Sequence, residues 1–199
     1  MLYSVIRFLF KWFYLFLFNI KIEGGENIPE TGGAIIASNH ISNFDPVTLG
    51  FCIKRKLRFM AKEELFKFKP FAVFLKSLGA FPVRRGRRDK AAIGNAAEVL
   101  NDGNLLVVFP EGTRSKSGKL GEYKSGALLL AYKTEIPIIP VAIIAKKKYV
   151  LFSGVRVVFG KPVTVTDLNV AQARSKELKN ACMRLRERTV SLFPEGTTA

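Results

Sequence analysis

Seven short, β-rich apolar runs punctuate this chain, and helix-forming stretches lie between several of them. That alternation constrains the fold more than any other feature. The runs are 20–23, 34–38, 57–61, 80–83, 105–109, 138–144 and 156–159. Helices are predicted at 46–53, 66–78, 90–101 and 125–133, and a last, charged amphipathic helix at 171–193. Gly103 just past the third of these is a helix stop. Strands separated by helices form an α/β layer structure, here a single domain with a mixed, mostly parallel sheet flanked by helices. No stretch rich in Gly, Ser or Pro divides the 199 residues, too few for two large domains.

Residues 1–20, MLYSVIRFLFKWFYLFLFNI, stand apart from residues 21–199, the globular part. Arg7 and Lys11 are the segment's only charges, four apart and so on one face of a helix. A spanning helix needs about 20 predominantly apolar residues. This segment reaches that length but carries two cations. The reading adopted is a helix lying in a membrane interface with both cations snorkelling; spanning and a buried core helix are the alternatives. A cleaved signal peptide is not expected, because no basic start or small-residue cleavage site is present.

The chain has a net charge of +16 and 17 Phe against one Trp and five Tyr. Such a charge implies an anionic partner: lipid, a phosphorylated substrate or nucleic acid. The aromatics cluster in apolar runs. Nucleic-acid stacking platforms interleave them with basic residues instead, so lipid is preferred and no nucleic-acid partner is expected. Cys52 and Cys182 form no disulfide framework and are expected to pack; a reduced intracellular domain fits. No cluster has metal-ligand spacing, and no cofactor is expected.

His40 is the only histidine. It follows the run 34–38, at a strand's C-terminal end, where open α/β sheets place their sites. Asp45 comes five residues later. On one helix the two side chains would diverge by about 140°, so a loop must join them. Pro46 suits a first helical position and makes Asp45 a natural N-cap. A carboxylate there can fix the imidazole tautomer and leave the other nitrogen as a base. A structural histidine beside a helix cap is the other reading of the same spacing.

A second constellation, Phe109-Pro-Glu-Gly-Thr-Arg-Ser115, also follows an apolar strand. Its Gly112 turn lets backbone N–H groups approach an anion, and Arg114 offers a phosphate-matching fork. Glu111 can hold an acceptor hydroxyl or a neighbouring Arg. An ordinary turn with a surface ion pair is the alternative. Arg84, Arg85, Arg87 and Arg88 form a third, basic group, either a solvated loop or a docking patch. Lys62 adds a cation near the same sheet edge. The repeat Phe-Pro-Glu-Gly-Thr at 193–197 is read as tail, with no site role.

Asn39-His40-Ile-Ser-Asn-Phe-Asp45 resembles the His-x4-Asp motif of the glycerolipid acyltransferases. Phe109-Pro-Glu-Gly-Thr-Arg-Ser115 is similar to that family's phosphate-acceptor motif. Gly79-Ala-Phe-Pro-Val-Arg84-Arg85 and Ile136-Pro-Ile-Ile-Pro140-Val141 resemble its intermediate and fourth blocks. The resemblance covers about residues 20–165. It implies that His40 is a general base oriented by Asp45, acting by direct transfer without a covalent acyl-enzyme. It implies that Glu111, Gly112, Thr113 and Arg114 bind glycerol phosphate, with a contact from Arg84 or Arg85 and Lys62 helping an oxyanion. The implied donor is acyl-CoA or acyl carrier protein, the acceptor lysophosphatidate, the product phosphatidic acid. The implied setting is an anionic membrane surface on the cytoplasmic face. A sibling acceptor, such as another lysophospholipid or glycerol phosphate, and a basic membrane-associated RNA-binding module are the alternatives.

Overall fold

The computed structural model describes residues 2–77, 79–83, 90–115 and 117–194, with the side chains of 2–9, 71, 74, 90, 91 and 146–148 left aside. The strands are β1 (Ile20–Glu23), β2 (Ala34–Ser38), β3 (Leu57–Lys62), β4 (Ala80–Val83), β5 (Leu105–Val108), β6 (Ile138–Tyr149) and β7 (Val155–Phe159). The helices are α1 (Leu2–Leu17), α2 (Asp45–Cys52), α3 (Lys69–Ser77), α4 (Lys90–Asn101), α5 (Gly126–Thr134) and α6 (Ser175–Val190). The strands form one sheet in the order β1-β7-β6-β2-β5-β3-β4. Neighbours are parallel throughout, except that β6 and β7 are antiparallel. The α/β expectation of a mixed, mostly parallel sheet flanked by helices is met.

Two boundaries differ from expectation for local reasons. A helix running from residue 66 would put Pro70 in its interior, removing a backbone hydrogen bond. Instead Glu63–Phe66 form a 3-10 turn, and α3 starts at Lys69 with Pro70 in its first turn. β6 continues to Tyr149, past the apolar run ending at 144, and β7 folds back on its Val141–Ala145 part as a hairpin.

β2 is buried at all five positions, as expected for a central parallel strand covered on both faces. Its side chains alternate. Ile35 and Ala37 join Leu106 and Ile138 against α4, α5 and α6. Ala34 and Ile36 join Leu105, Val107 and Ile139 against Leu49 of α2 and Phe18, just past α1. The chain therefore leaves adjacent strands β2 and β5 toward opposite faces, to α2 and α5 respectively. That divergence opens a crevice at their C-terminal ends, the switch point where open α/β sheets bind ligands.

Over residues 10–17, α1 packs by one side only. Phe18 and Tyr14 turn inward, the rings 4.8 Å apart, and the Tyr14 hydroxyl meets Thr48 Oγ1 at 2.9 Å. Lys11, expected to snorkel, is half-buried and close enough for its charge to act on Cys52. Phe10, Trp12, Phe13 and Phe16 are exposed. The 16-residue helix is about 24 Å long, short of a roughly 30 Å hydrocarbon core. Among the described residues, no helix is long and apolar enough to cross a membrane.

Candidate active site

The register of β2 with β5 pairs Ala37 with Val108, so the chain segments that follow, 39–45 and 109–115, meet at one sheet edge. Asn39 anchors the first. Its side-chain amide donates to the Ile143 carbonyl at 2.9 Å and accepts from the Ile143 N–H at 2.7 Å. This reciprocal pair continues the sheet's hydrogen bonding one residue past β2, and Asn39 is buried.

His40 comes next. Its Nδ1 lies 2.7 Å from Asp45 Oδ2. The backbone N–H groups of Ile41 and Ser42 donate to the same oxygen at 2.7 and 2.8 Å. Two fixed donors on Oδ2 make it an acceptor, so Nδ1 carries the proton and Nε2 keeps its lone pair. The imidazole is 15% exposed and the carboxylate fully buried. Phe109 stacks on the imidazole with centroids 4.0 Å apart. The ring is thus held by one hydrogen bond in its plane and one flat contact across it.

Asp45 does not cap its helix. Phe44 takes the N-cap position, and Asp45 is the first helical residue with its side chain turned back onto the loop. The loop needs that acceptor more than the helix does, because the N–H groups of Ile41 and Ser42 point inward with no strand partner. Asp45 Oδ1 and the Tyr149 hydroxyl are also buried and make no hydrogen bond among the described residues. Burial raises the Tyr149 phenol's pKa, and the Asp45 charge raises it further. The Tyr14 phenol is pushed up to about 12, chiefly by burial.

The Glu111 carboxylate is engaged by the backbone. It is buried, and its two oxygens accept the N–H of His40 and of Gly121, each at 2.9 Å. Each oxygen thus accepts one backbone N–H, and the carboxylate braces the two motifs together. Glu111→Gln has one acceptor oxygen for two donors. It is expected to destabilise the chain by up to about 1–3 kcal/mol, one unpaired and partly buried N–H, read as a lower thermal midpoint; an unchanged midpoint would contradict the bracing role.

The rest of the second motif faces outward. Phe109 O accepts from Gly112 N at 2.9 Å, closing a turn in which Gly112 has φ +73. Thr113 and Arg114 are exposed. Ser115 N donates to the His40 carbonyl at 2.7 Å, which places Arg114 one residue from the histidine's own backbone. Lys124 was not singled out from the sequence. Its Nζ lies 2.7 Å from where a Cβ on Gly112 would be, so it overhangs the glycine turn. Nothing in the local spacing around Tyr123-Lys124-Ser125 signals this; only the fold brings it there.

Lys62 ends β3 and is exposed. Phe59 is level with Val107, which is level with Ile36, so Lys62 sits near the level of His40, two strands away. That is on the order of 10 Å. Arg84 and Arg85 lie outside the described residues, as do Arg87 and Arg88 and most of the second Phe-Pro-Glu-Gly-Thr. Burial pushes the Cys52 thiol up to about 12 and also raises Cys182, the reverse of what an activated nucleophile needs.

A model of the family described as Acyltransferase matches residues 19–144, well over half of the chain. The chain belongs to that acyltransferase family. The matched span contains His40, Asp45 and the whole 109–115 motif. The 1-acyl-sn-glycerol-3-phosphate acyltransferase of Bacillus subtilis is 35% identical over 124 residues, 62% of this chain and 61% of that protein. The chloroplastic 1-acyl-sn-glycerol-3-phosphate acyltransferase of Arabidopsis thaliana is 33% identical, over 80% of this chain and 48% of its own length. The chain thus spans about half to three-fifths of the length of these relatives. The crystal structure of the 1-acyl-sn-glycerophosphate acyltransferase from Thermotoga maritima superposes with a TM-score of 0.66 at 31% identity, covering 86% of this chain and 70% of that one.

Proposed function

We propose that this acyltransferase moves a fatty acyl group from a thioester donor to the sn-2 hydroxyl of 1-acyl-glycerol 3-phosphate, giving phosphatidic acid. The observation that carries the reading is the single histidine held with Nε2 free by a buried carboxylate, beside a glycine turn flanked by Arg114 and Lys124. The activities for which the relatives are named agree with it.

In this reading the acceptor's phosphate docks on the Gly112–Thr113 turn, neutralised by Arg114 and Lys124. Its hydroxyl then faces His40. Nε2 removes the hydroxyl proton as the oxygen attacks the thioester carbonyl carbon. The imidazolium is stabilised by Asp45. When the tetrahedral intermediate collapses, the C–S bond breaks and the thiolate takes the proton back from Nε2. The products are an ester and a free thiol, on CoA or acyl carrier protein. Lys62 is near enough in level to contribute to the developing oxyanion, which needs a pre-placed donor. The exposed aromatic stripe of α1 lies in the interface of an anionic membrane, on the cytoplasmic face.

A panel of acceptors tests the assignment: lysophosphatidate, glycerol 3-phosphate and lysophosphatidylglycerol, each with acyl-CoA and with acyl carrier protein. The expected outcome is the highest kcat/KM with lysophosphatidate. Preference for either other acceptor overturns the acceptor assignment and leaves the dyad chemistry standing.

A further inference from the structure

The turn joining β6 to β7 is built in an unusual way. Val150, Leu151 and Phe152 form its tip, and all three are exposed. A tip of this kind is ordinarily polar. Phe152 also holds φ +59, a left-handed conformation that favours Gly or Asn and that bulky residues avoid. Strain kept alongside exposed apolar surface is a functional sign and not a packing one. The tip is fastened to α1. Phe152 N donates to the Leu17 carbonyl at 2.8 Å, and the Phe152 ring meets Phe16 edge-on at 5.9 Å. Phe16 is itself 71% exposed. The helix stripe and the tip are therefore one continuous apolar face, contributed by two segments more than 130 residues apart in the chain.

We infer that the β6–β7 tip is a second lipid-docking element, entering an anionic phospholipid surface beside Phe13 and Phe16 of α1. The inference rests on the interfacial reading of α1 and goes beyond it. Charge favours this occupant: the chain carries a net +16, and the sequence places Lys146, Lys147 and Lys148 on β6 immediately before the tip. Two anchors hold the domain in one orientation, whereas one helix leaves it free to roll about the helix axis. That orientation suits the site. Phe18 packs on both Phe44 and Tyr149, with centroids 6.0 and 5.6 Å away, and Phe44 directly precedes Asp45. One aromatic layer thus separates the docking face from the His40 edge, so an acceptor headgroup can reach the dyad while its chain stays in lipid.

The test uses the full chain with the double variant Leu151→Ser, Phe152→Asn, and separately Phe13→Ser, Phe16→Ser. Asn is at ease at positive φ, so the tip variant is expected to keep or raise the thermal midpoint. Acyl transfer to a short-chain, water-soluble acceptor is expected to be unchanged. Co-sedimentation with vesicles of phosphatidylcholine plus phosphatidylglycerol is expected to weaken on the order of tenfold or more, from the loss of two buried apolar side chains. Trp12, the only tryptophan, reports insertion of α1 by a blue shift of its emission. A tip variant that binds vesicles like the parent chain overturns the inference. If the α1 variant also binds like the parent, the interfacial reading falls with it; if only the α1 variant loses binding, that reading survives alone. A parent dimer made monomeric by the tip variant, with vesicle binding intact, would assign the face to self-association and overturn the inference too.

Discussion

Replacing His40 with Ala is expected to lower acyl-transfer turnover by more than about 100-fold, the usual worth of a positioned general base. No second imidazole exists to substitute for it, since His40 is the chain's only one. The fold is expected to persist. The ring is held by one hydrogen bond and by stacking on Phe109, whereas the backbone N–H and carbonyl of His40, bonded to Glu111 and Ser115, remain. Thermal unfolding and circular dichroism check the fold, and single-turnover kinetics with saturating acceptor check the chemistry. Unchanged turnover in a folded His40→Ala chain would refute the base assignment.

The second large effect is at Asp45, and two variants divide it. In Asp45→Asn the amide oxygen can take the place of Oδ2 and keep all three donors: His40 Nδ1 and the N–H groups of Ile41 and Ser42. The NH2 group then occupies the position of Oδ1, which has no hydrogen-bond donor among the described residues. The tautomer is preserved and the charge is lost. Turnover is expected to fall roughly tenfold to a thousandfold, the span an adjacent opposite charge gives a protonation equilibrium. Asp45→Ala removes the acceptor as well. It leaves one buried and one partly buried backbone donor unpaired, at up to about 1–3 kcal/mol each, and releases the ring. Its turnover is expected to be lower still, with a clearly reduced thermal midpoint. Full activity in Asp45→Asn, with loss confined to Asp45→Ala, would mean that the carboxylate acts only as a loop brace.

These expectations connect three levels of the molecule. The parallel strands β2 and β5 bring two sequence motifs to one edge. The loop after β2 is then closed on the Asp45 carboxylate, and the loop after β5 on the Glu111 carboxylate. Both acids serve the backbone. Only Asp45 also touches the imidazole, which is why the two are expected to differ: loss of Glu111 is a stability effect first, and loss of Asp45 a rate effect first.

Local physics made much of this legible from the sequence. Continuous apolar runs such as 34–38 and 105–108 can only be strands covered on both faces, and Pro46 and Gly103 mark helix ends by their own backbone limits. The spacing of His40 and Asp45 required a loop between them, and the loop is there. What the sequence could not decide depends on contacts between distant residues. That the Glu111 carboxylate meets the His40 amide depends on how far apart β2 and β5 end. The overhang of Lys124 on Gly112, and the junction of Phe16 with Phe152, need the whole sheet order to exist. The one-sided packing of α1 is of the same kind: Arg7 and Lys11 mark one face in the sequence, but they do not say which of the remaining aromatics pack. Only the docking of Tyr14 and Phe18 against α2 and β6 selects which aromatics stay outside.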